Sequence, residues 1–155
     1  MTAQRLKDFL DRNGVKYVSI AHSPAYTARE IAQAAHIPGK DLAKTVMVKI
    51  DGRMAMAVMP SSQKLDPALL KQAGGAKRVV LAHEPEFEER FPGCEVGAMP
   101  PFGNLYGMEV FVAETLAADE EIAFNAGSHT ELVRMAYKDF ERLVQPKVAR
   151  ISVTP

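Results

Sequence analysis

Residues 43–59 read AKTVMVKIDGRMAMAVM: two apolar segments, 43–50 and 54–59, joined by a turn that contains Asp51-Gly52. Asp-Gly between two apolar runs is typical of a two-residue β-turn, because both central positions of that turn need a positive φ. The first segment also alternates in the manner of a strand, since successive strand side chains point to opposite faces. We therefore predict an antiparallel hairpin here.

Further helical and strand patterns lie on both sides of this hairpin. Amphipathic spacing, N-cap residues and Gly or Pro stops predict helices at 3–12, 27–35, 66–73, 84–91 and 138–144. Alternating or continuous apolar runs predict strands at 15–20, 78–82, 108–113, 122–125, 132–136 and 148–153. About seven strands mixed with four or five helices, without a regular βαβ series, predict a mixed α/β fold. We expect a curved, largely antiparallel sheet or partial barrel flanked by helices.

The size and composition of the chain narrow its class. Its 155 residues favour a single domain spanning 1–155. No apolar run approaches the ~20 residues of a membrane span, and the N-terminus lacks a signal-peptide core. Cys94 is the only cysteine, which rules out an intrachain disulfide and a multi-cysteine metal site. We expect a cytoplasmic protein that has no membrane partner.

The charge distribution leaves two interpretations open. The 19 basic and 19 acidic side chains balance, which argues against binding to DNA or RNA by bulk charge. Residues 1–50 nevertheless hold eight basic and four acidic side chains, whereas residues 101–155 hold five and eight. The N-terminal excess forms either a local basic face that meets phosphates or an ordinary solvated surface.

Two sequence features point to a pocket. Lys44 shares its strand face with Val46, Val48 and Ile50, and a charge among apolar side chains needs either a partner or a route to solvent. Residues 96–103 read VGAMPPFG, a loop that glycine makes approachable and proline stiffens. A cation next to such a loop suits an anionic or ester-bearing ligand, although a snorkelling lysine at a strand end fits the same pattern.

Other candidate chemistries are weaker. The four histidines lack the short spacings of zinc ligands, so we expect no metal. His129 lies in a Gly-Ser-His-Thr loop, where it either faces a pocket or has a structural role. Cys94 has acidic neighbours that disfavour a thiolate, and Ser128 is not part of a nucleophile elbow.

Three blocks in order resemble the YbaK-like aminoacyl-tRNA deacylases, relatives of the insertion editing domain of bacterial prolyl-tRNA synthetase. The first block is Lys44-Thr45-Val46 and the second is the loop from Gly97 to Gly103. The third is Asn125-Ala126-Gly127-Ser128-His129, followed by Tyr137-Lys138-Asp139-Phe140. The resemblance spans nearly the whole chain and implies an editing-domain-like fold.

The resemblance implies a freestanding trans-editing enzyme that hydrolyses the ester of a mischarged small amino acid on tRNA, without a metal or other cofactor. It implies catalytic roles for Lys44 and Gly97: the lysine holds the charged acceptor end, and the glycine backbone positions the substrate amine and water. The tRNA's vicinal hydroxyl assists. The implied substrate-binding positions are Thr45, Met47, Ala98, Met99, Pro100, Pro101, Gly127, Ser128 and His129. The implied partners are the aminoacyl-tRNA acceptor end and, in some members, a synthetase.

Two alternatives stand beside this enzyme. A non-catalytic module of the same fold would bind tRNA or a synthetase, although retention of both Lys44 and Gly97 favours catalysis. A small-molecule esterase would need a nucleophile–base pair, and the sequence offers no convincing one.

Overall fold

The structure is a computed structural model that describes residues 3–25 and 27–155. Within that part, the α-helices are α1 (Ala3–Arg12), α2 (Ala28–Ala35), α3 (Pro67–Ala73), α4 (Glu84–Phe87), α5 (Glu114–Ala117) and α6 (Tyr137–Val144). The strands are β1 (Tyr17–Ala21), β2 (Ala43–Ile50), β3 (Arg53–Pro60), β4 (Lys64–Leu65), β5 (Val79–Leu81), β6 (Glu109–Ala113), β7 (Glu121–Asn125), β8 (Glu131–Ala136), β9 (Lys147–Ala149) and β10 (Ser152–Val153).

The predicted hairpin lies at the centre of a five-stranded sheet with the order β5-β2-β3-β6-β9. Asp51 and Gly52 have φ values of 50° and 83°, as a turn of this kind requires. The register pairs Ile50 with Arg53 at the turn and Lys44 with Met59 at the far end. The hairpin therefore carries Lys44 to the end of the sheet opposite the turn.

A second sheet, β1-β8-β7, is entirely antiparallel, and β4 pairs with β10 in a short third ribbon. The first two sheets meet at a parallel bridge between Leu42 and Ala123. There the Ala123 N–H donates to the Asp41 carbonyl at 2.9 Å. This junction places the start of β2 beside β7.

The five-stranded sheet has an apolar layer on each face, because neighbouring strand positions point in opposite directions. Met47, Met56 and Val58 pack in the larger core with Leu10 of α1 and Phe140 of α6. On the other face, the core consists of Val48, Ile50, Ala55, Ala57, Leu70 and Phe111, among others. Both faces of the central hairpin are therefore covered.

The structure confirms the mixed α/β prediction and the dominance of antiparallel pairing, with three qualifications. First, β6 runs parallel to β3, and β9 runs parallel to β6. Second, the single edge strand predicted at 148–153 is wrong: this segment supplies β9 and β10 to different sheets. Third, the short elements β4 and α5 were not predicted, and the helix predicted at 84–91 ends at Phe87 and continues as a 3₁₀ turn, Glu88–Arg90.

In the described part of the chain, none of the helices has the length and apolar character needed to cross a membrane.

Candidate active site

A cavity of about 170 Å³ lies where the two larger sheets meet. Its walls come from α2, the start of β2, the loop after Cys94 and the end of β7. The lining residues are Ile31, Leu42, Ala43, Lys44, Thr45, Gly97, Met99 and Asn125. Two sequence blocks far apart in the chain, around residues 44 and 97, thus meet at one small cavity.

Lys44 supplies the cation of this cavity. Its side chain is half-buried, and burial lowers the pKa of its ammonium group. Among the described residues, no acidic side chain forms an ion pair with it. By contrast, Lys49 on the same strand pairs with Glu86. A partly desolvated charge without a counter-ion is suited to an anionic or strongly polar ligand.

The backbone of Gly97 also lines the cavity. Gly97 has a φ of 84°, a backbone conformation that residues other than glycine adopt only with strain. A Cβ atom at this position would lie 3.7 Å from His129 Cε1, which is an ordinary contact. Glycine is therefore required by backbone conformation and not by crowding.

Hydrogen bonds to the third sequence block hold the Gly97 loop in place. The Glu95 N–H donates to the Gly127 carbonyl at 2.8 Å, and the Gly127 N–H donates to the Ala98 carbonyl at 2.9 Å. The His129 ring donates through Nε2 to the Val96 carbonyl at 2.9 Å. The loop that lines the cavity is thus fixed to the segment between β7 and β8.

Aromatic packing anchors the far end of the same loop. Phe102 is fully buried, and its ring lies 5.5 Å from that of Phe124 and 5.4 Å from that of Phe140, both edge-to-face. Pro100 and Pro101 are buried beside it. This packing explains why the loop needs apolar residues after Gly97 although it lies at a surface cavity.

The structure divides the predicted site residues into three groups. Lys44, Thr45, Gly97 and Met99 line the cavity together. Gly127 and His129 form hydrogen bonds with the Gly97 loop but do not line the cavity. The Ser128 hydroxyl lies 3.2 Å from that of Thr130. Four predicted positions are buried and lie outside the cavity lining: Met47, Ala98, Pro100 and Pro101.

Sequence reasoning missed four cavity residues: Ile31, Leu42, Ala43 and Asn125. Three of them, Ile31, Leu42 and Ala43, are apolar, and no local signal marks them as site residues. Asn125 begins the third sequence block, which predicts no role for it. A polar residue at the end of an otherwise apolar strand, next to a glycine-containing loop, was the signal that could have found it.

Cys94 lies outside the lining of the cavity. Burial is the main cause that raises the pKa of its thiol, so the thiolate is disfavoured. Within residues 3–25 and 27–155, no three His, Cys, Asp or Glu side chains are grouped as metal ligands would be.

Comparison with known proteins identifies the family. The family model of the aminoacyl-tRNA editing domain matches residues 22–143 of this chain. That range contains every residue that lines the cavity. The chain belongs to this family. The editing-domain family predicted from the three sequence blocks is confirmed, and with it the predicted enzyme class, a hydrolase of the aminoacyl-tRNA ester.

Named relatives of this editing domain cover nearly its whole length. The "Multifunctional Ser/Thr-tRNA deacylase ProXp-y" of Escherichia coli (strain K12) is 28% identical over an alignment of 160 positions, which covers 99% of this chain and 95% of the relative. The "Prolyl-tRNA editing protein ProX" of Acetoanaerobium sticklandii is 26% identical over 143 residues, covering 88% of this chain and 86% of the relative.

Solved structures agree with this editing-domain fold. A crystal structure described as "a putative trans-editing enzyme for prolyl tRNA synthetase" superposes with a TM-score of 0.81 at 23% identity. The superposition covers 97% of this chain and 96% of the other.

Proposed function

We propose that this cavity is the active site of a trans-editing deacylase and that 1–155 is a single editing domain. The observation that carries the proposal is the meeting of Lys44 and Gly97 at one small cavity. Lys44 brings a partly desolvated positive charge without an acidic partner among the described residues, and Gly97 brings an approachable backbone. The positive charge of Lys44 suits the charged acceptor end of tRNA, and the Gly97 backbone suits the aminoacyl group.

The proposed reaction depends on positioning. An aminoacyl ester is already activated, so a water molecule held near its carbonyl carbon and polar groups near its carbonyl oxygen are sufficient for hydrolysis. Lys44 contacts the terminal phosphate or the ester oxygen, and the Gly97 backbone orients the substrate amine and the water. The vicinal hydroxyl of the terminal ribose assists the water. Water adds to the carbonyl carbon, the ester bond breaks, and the ribose oxygen leaves with a proton.

The size and lining of the cavity support a small aminoacyl group. About 170 Å³ accommodates a side chain of a few heavy atoms, and Ile31, Leu42 and Met99 supply apolar walls. The Escherichia coli relative is named for seryl- and threonyl-tRNA, and the Acetoanaerobium relative for prolyl-tRNA editing. We propose seryl and threonyl esters as the preferred substrates, because the lining also contains the polar side chains of Thr45 and Asn125.

We propose the tRNA acceptor end as the macromolecular partner, with recruitment by an aminoacyl-tRNA synthetase as a further step. The fold brings a cation and an approachable backbone to one cavity, an arrangement that catalysis requires and simple tRNA binding does not. For this reason a non-catalytic module is the less favoured function.

A deacylation panel tests the proposal. One tRNA is charged separately with alanine, serine, threonine, cysteine and proline, and loss of each ester is measured with and without the protein. We expect hydrolysis of the seryl and threonyl esters well above the spontaneous rate. Free aminoacyl esters of the same amino acids serve as controls for recognition of the tRNA. Spontaneous rates across the whole panel would contradict the proposal.

A further inference from the structure

Asn125 carries an unexplained polar atom at the cavity. It is the last residue of β7, where it pairs with Leu132 of β8, and it lines the cavity with Lys44, Thr45 and Gly97. Its Oδ1 atom is buried, yet within the described residues no donor forms a hydrogen bond with it. Buried amide oxygens in native proteins are normally paired.

An unpaired buried acceptor costs stability, so this atom requires either a structural or a functional explanation. Leaving such a group without a partner costs about 1–3 kcal/mol, and the cost disappears when a bound molecule supplies a donor. Because the oxygen belongs to a cavity residue, an occupant of the cavity is the donor that the geometry offers. Asn125 is therefore preorganised to accept a hydrogen bond from a ligand.

The charges around the cavity indicate which chemical group of a ligand donates to Asn125 Oδ1. The lining has no carboxylate, and its one charged group is the Lys44 ammonium. Because the Gly97 backbone orients the substrate amine in the proposed reaction, that amine is not the donor for Asn125, and any further cation there would meet the like charge of Lys44 without a counter-ion. A neutral hydroxyl is not repelled by Lys44 and needs no counter-ion, and it can donate a hydrogen bond to a neutral amide oxygen.

We propose that Asn125 Oδ1 accepts a hydrogen bond from the side-chain hydroxyl of the aminoacyl group and thereby selects seryl and threonyl esters over alanyl esters. This inference rests on the proposed deacylase function. It assigns the selection to one atom, whereas the apolar walls alone would discriminate poorly against a missing hydroxyl. A site that pairs a substrate hydroxyl rejects the analogue without it far more strongly than an apolar wall rejects one methyl group.

The test compares seryl and alanyl esters on the same tRNA for wild type and Asn125→Leu. Leucine has nearly the shape of asparagine but lacks the acceptor. The matched control is Asn104→Leu, the same substitution at an exposed residue outside the cavity lining. For Asn125→Leu we expect kcat/KM for the seryl ester to fall about 10- to 100-fold, while the alanyl rate stays within about threefold of wild type. Asn104→Leu should retain the wild-type preference for serine.

A stability measurement separates substrate recognition from a structural role. Because Oδ1 is unpaired in the free protein, Asn125→Leu should unfold at the wild-type denaturant concentration or above it. Equal loss of seryl and alanyl hydrolysis, or an unchanged seryl preference, would overturn the inference. Alanyl hydrolysis by both proteins would still support the proposed deacylase function, so failure of the two proposals is distinguishable.

Discussion

Gly97 combines an exposed position with a φ of 84°, and its loop is fixed by hydrogen bonds on both sides of it. A Cβ atom would meet only His129 Cε1 at 3.7 Å. The cost of a side chain here is therefore conformational strain, about 1 kcal/mol or somewhat more. Relief of that strain would move the backbone that faces the cavity.

We predict that Gly97→Ala lowers kcat/KM at least about tenfold while lowering the free energy of unfolding by only about 1–2 kcal/mol. Gly52→Ala is the matched control, since Gly52 has a φ of 83° and open space around it at the opposite end of the β2–β3 hairpin. It should show a similar loss of stability with wild-type activity. Equal activities of the two variants would contradict a role for the Gly97 backbone.

Met99 is one of the large apolar residues that line the cavity. It is 6% exposed, lines the cavity and also packs in the larger core. We predict that Met99→Ala raises hydrolysis of a bulkier aminoacyl ester relative to the smallest one, because apolar pockets discriminate a methylene by about 1–3 kcal/mol. The variant should also lose about 2–4 kcal/mol of stability, so the panel is measured well below its melting temperature. An unchanged profile across alanyl, seryl, cysteinyl and prolyl esters would place the size filter elsewhere.

At the scale of elements, the two capped helices α2 and α3 differ in their relation to the site. The Thr27 hydroxyl accepts from the Glu30 N–H at 3.1 Å, and α2 supplies Ile31 to the cavity. The Asp66 carboxylate accepts from the Ala68 N–H at 2.9 Å, and α3 contributes nothing to the cavity lining.

We predict that Thr27→Ala and Asp66→Ala each lower the free energy of unfolding by about 0.5–2 kcal/mol, through loss of the cap. Only Thr27→Ala should also raise KM, because fraying of α2 displaces Ile31. Denaturant unfolding and steady-state kinetics on both variants check this. A KM increase in Asp66→Ala equal to that in Thr27→Ala would show a general effect of stability instead.

Local signals predicted much of the element structure. Asp51-Gly52 fixed the central hairpin, and the caps Thr27 and Asp66 marked the start of two helices, since each depends on residues within a few positions. The parallel pairing of β3 with β6 was not predicted, because it joins residues about fifty positions apart. The missed role of Asn125 has the same cause: its cavity neighbours Lys44 and Gly97 come from other elements.

At the scale of the whole molecule, a carboxyl group lies near the junction of the two larger sheets. The Asp119 side chain is only 11% exposed, and Lys40 Nζ lies 4.0 Å from one of its oxygens. Burial, followed by the charge of Asp41, raises the pKa of Asp119 to about 6. Lys40 opposes this shift but does not cancel it.

We predict that Asp119 makes the wild-type protein less stable as pH rises. The folded pKa, about 6, exceeds the ordinary value of 3.8, so the folded state binds the proton more tightly. The contribution of Asp119 to the free energy of unfolding is therefore fully present below pH 4 and is lost as pH rises through 6. Asp119→Asn should be more stable than wild type by about 1–3 kcal/mol at pH 7.5 and equally stable near pH 4. Urea unfolding at both pH values checks this, with Glu120→Gln as a control at an exposed position. A stability difference between Asp119→Asn and wild type that is the same at both pH values would contradict the prediction.

The central claim is that Lys44 and its cavity hydrolyse an aminoacyl-tRNA ester, and single-turnover deacylation of seryl-tRNA by Lys44→Ala tests it most directly. The matched control is Lys49→Ala, which removes a lysine from the same strand but breaks only an ion pair with Glu86. Loss of a charge-assisted contact of about 1.5–3 kcal/mol predicts a rate about 10- to 100-fold lower for Lys44→Ala. Lys49→Ala should keep the wild-type rate. A folded Lys44→Ala protein that deacylates seryl-tRNA at the wild-type rate would contradict the account.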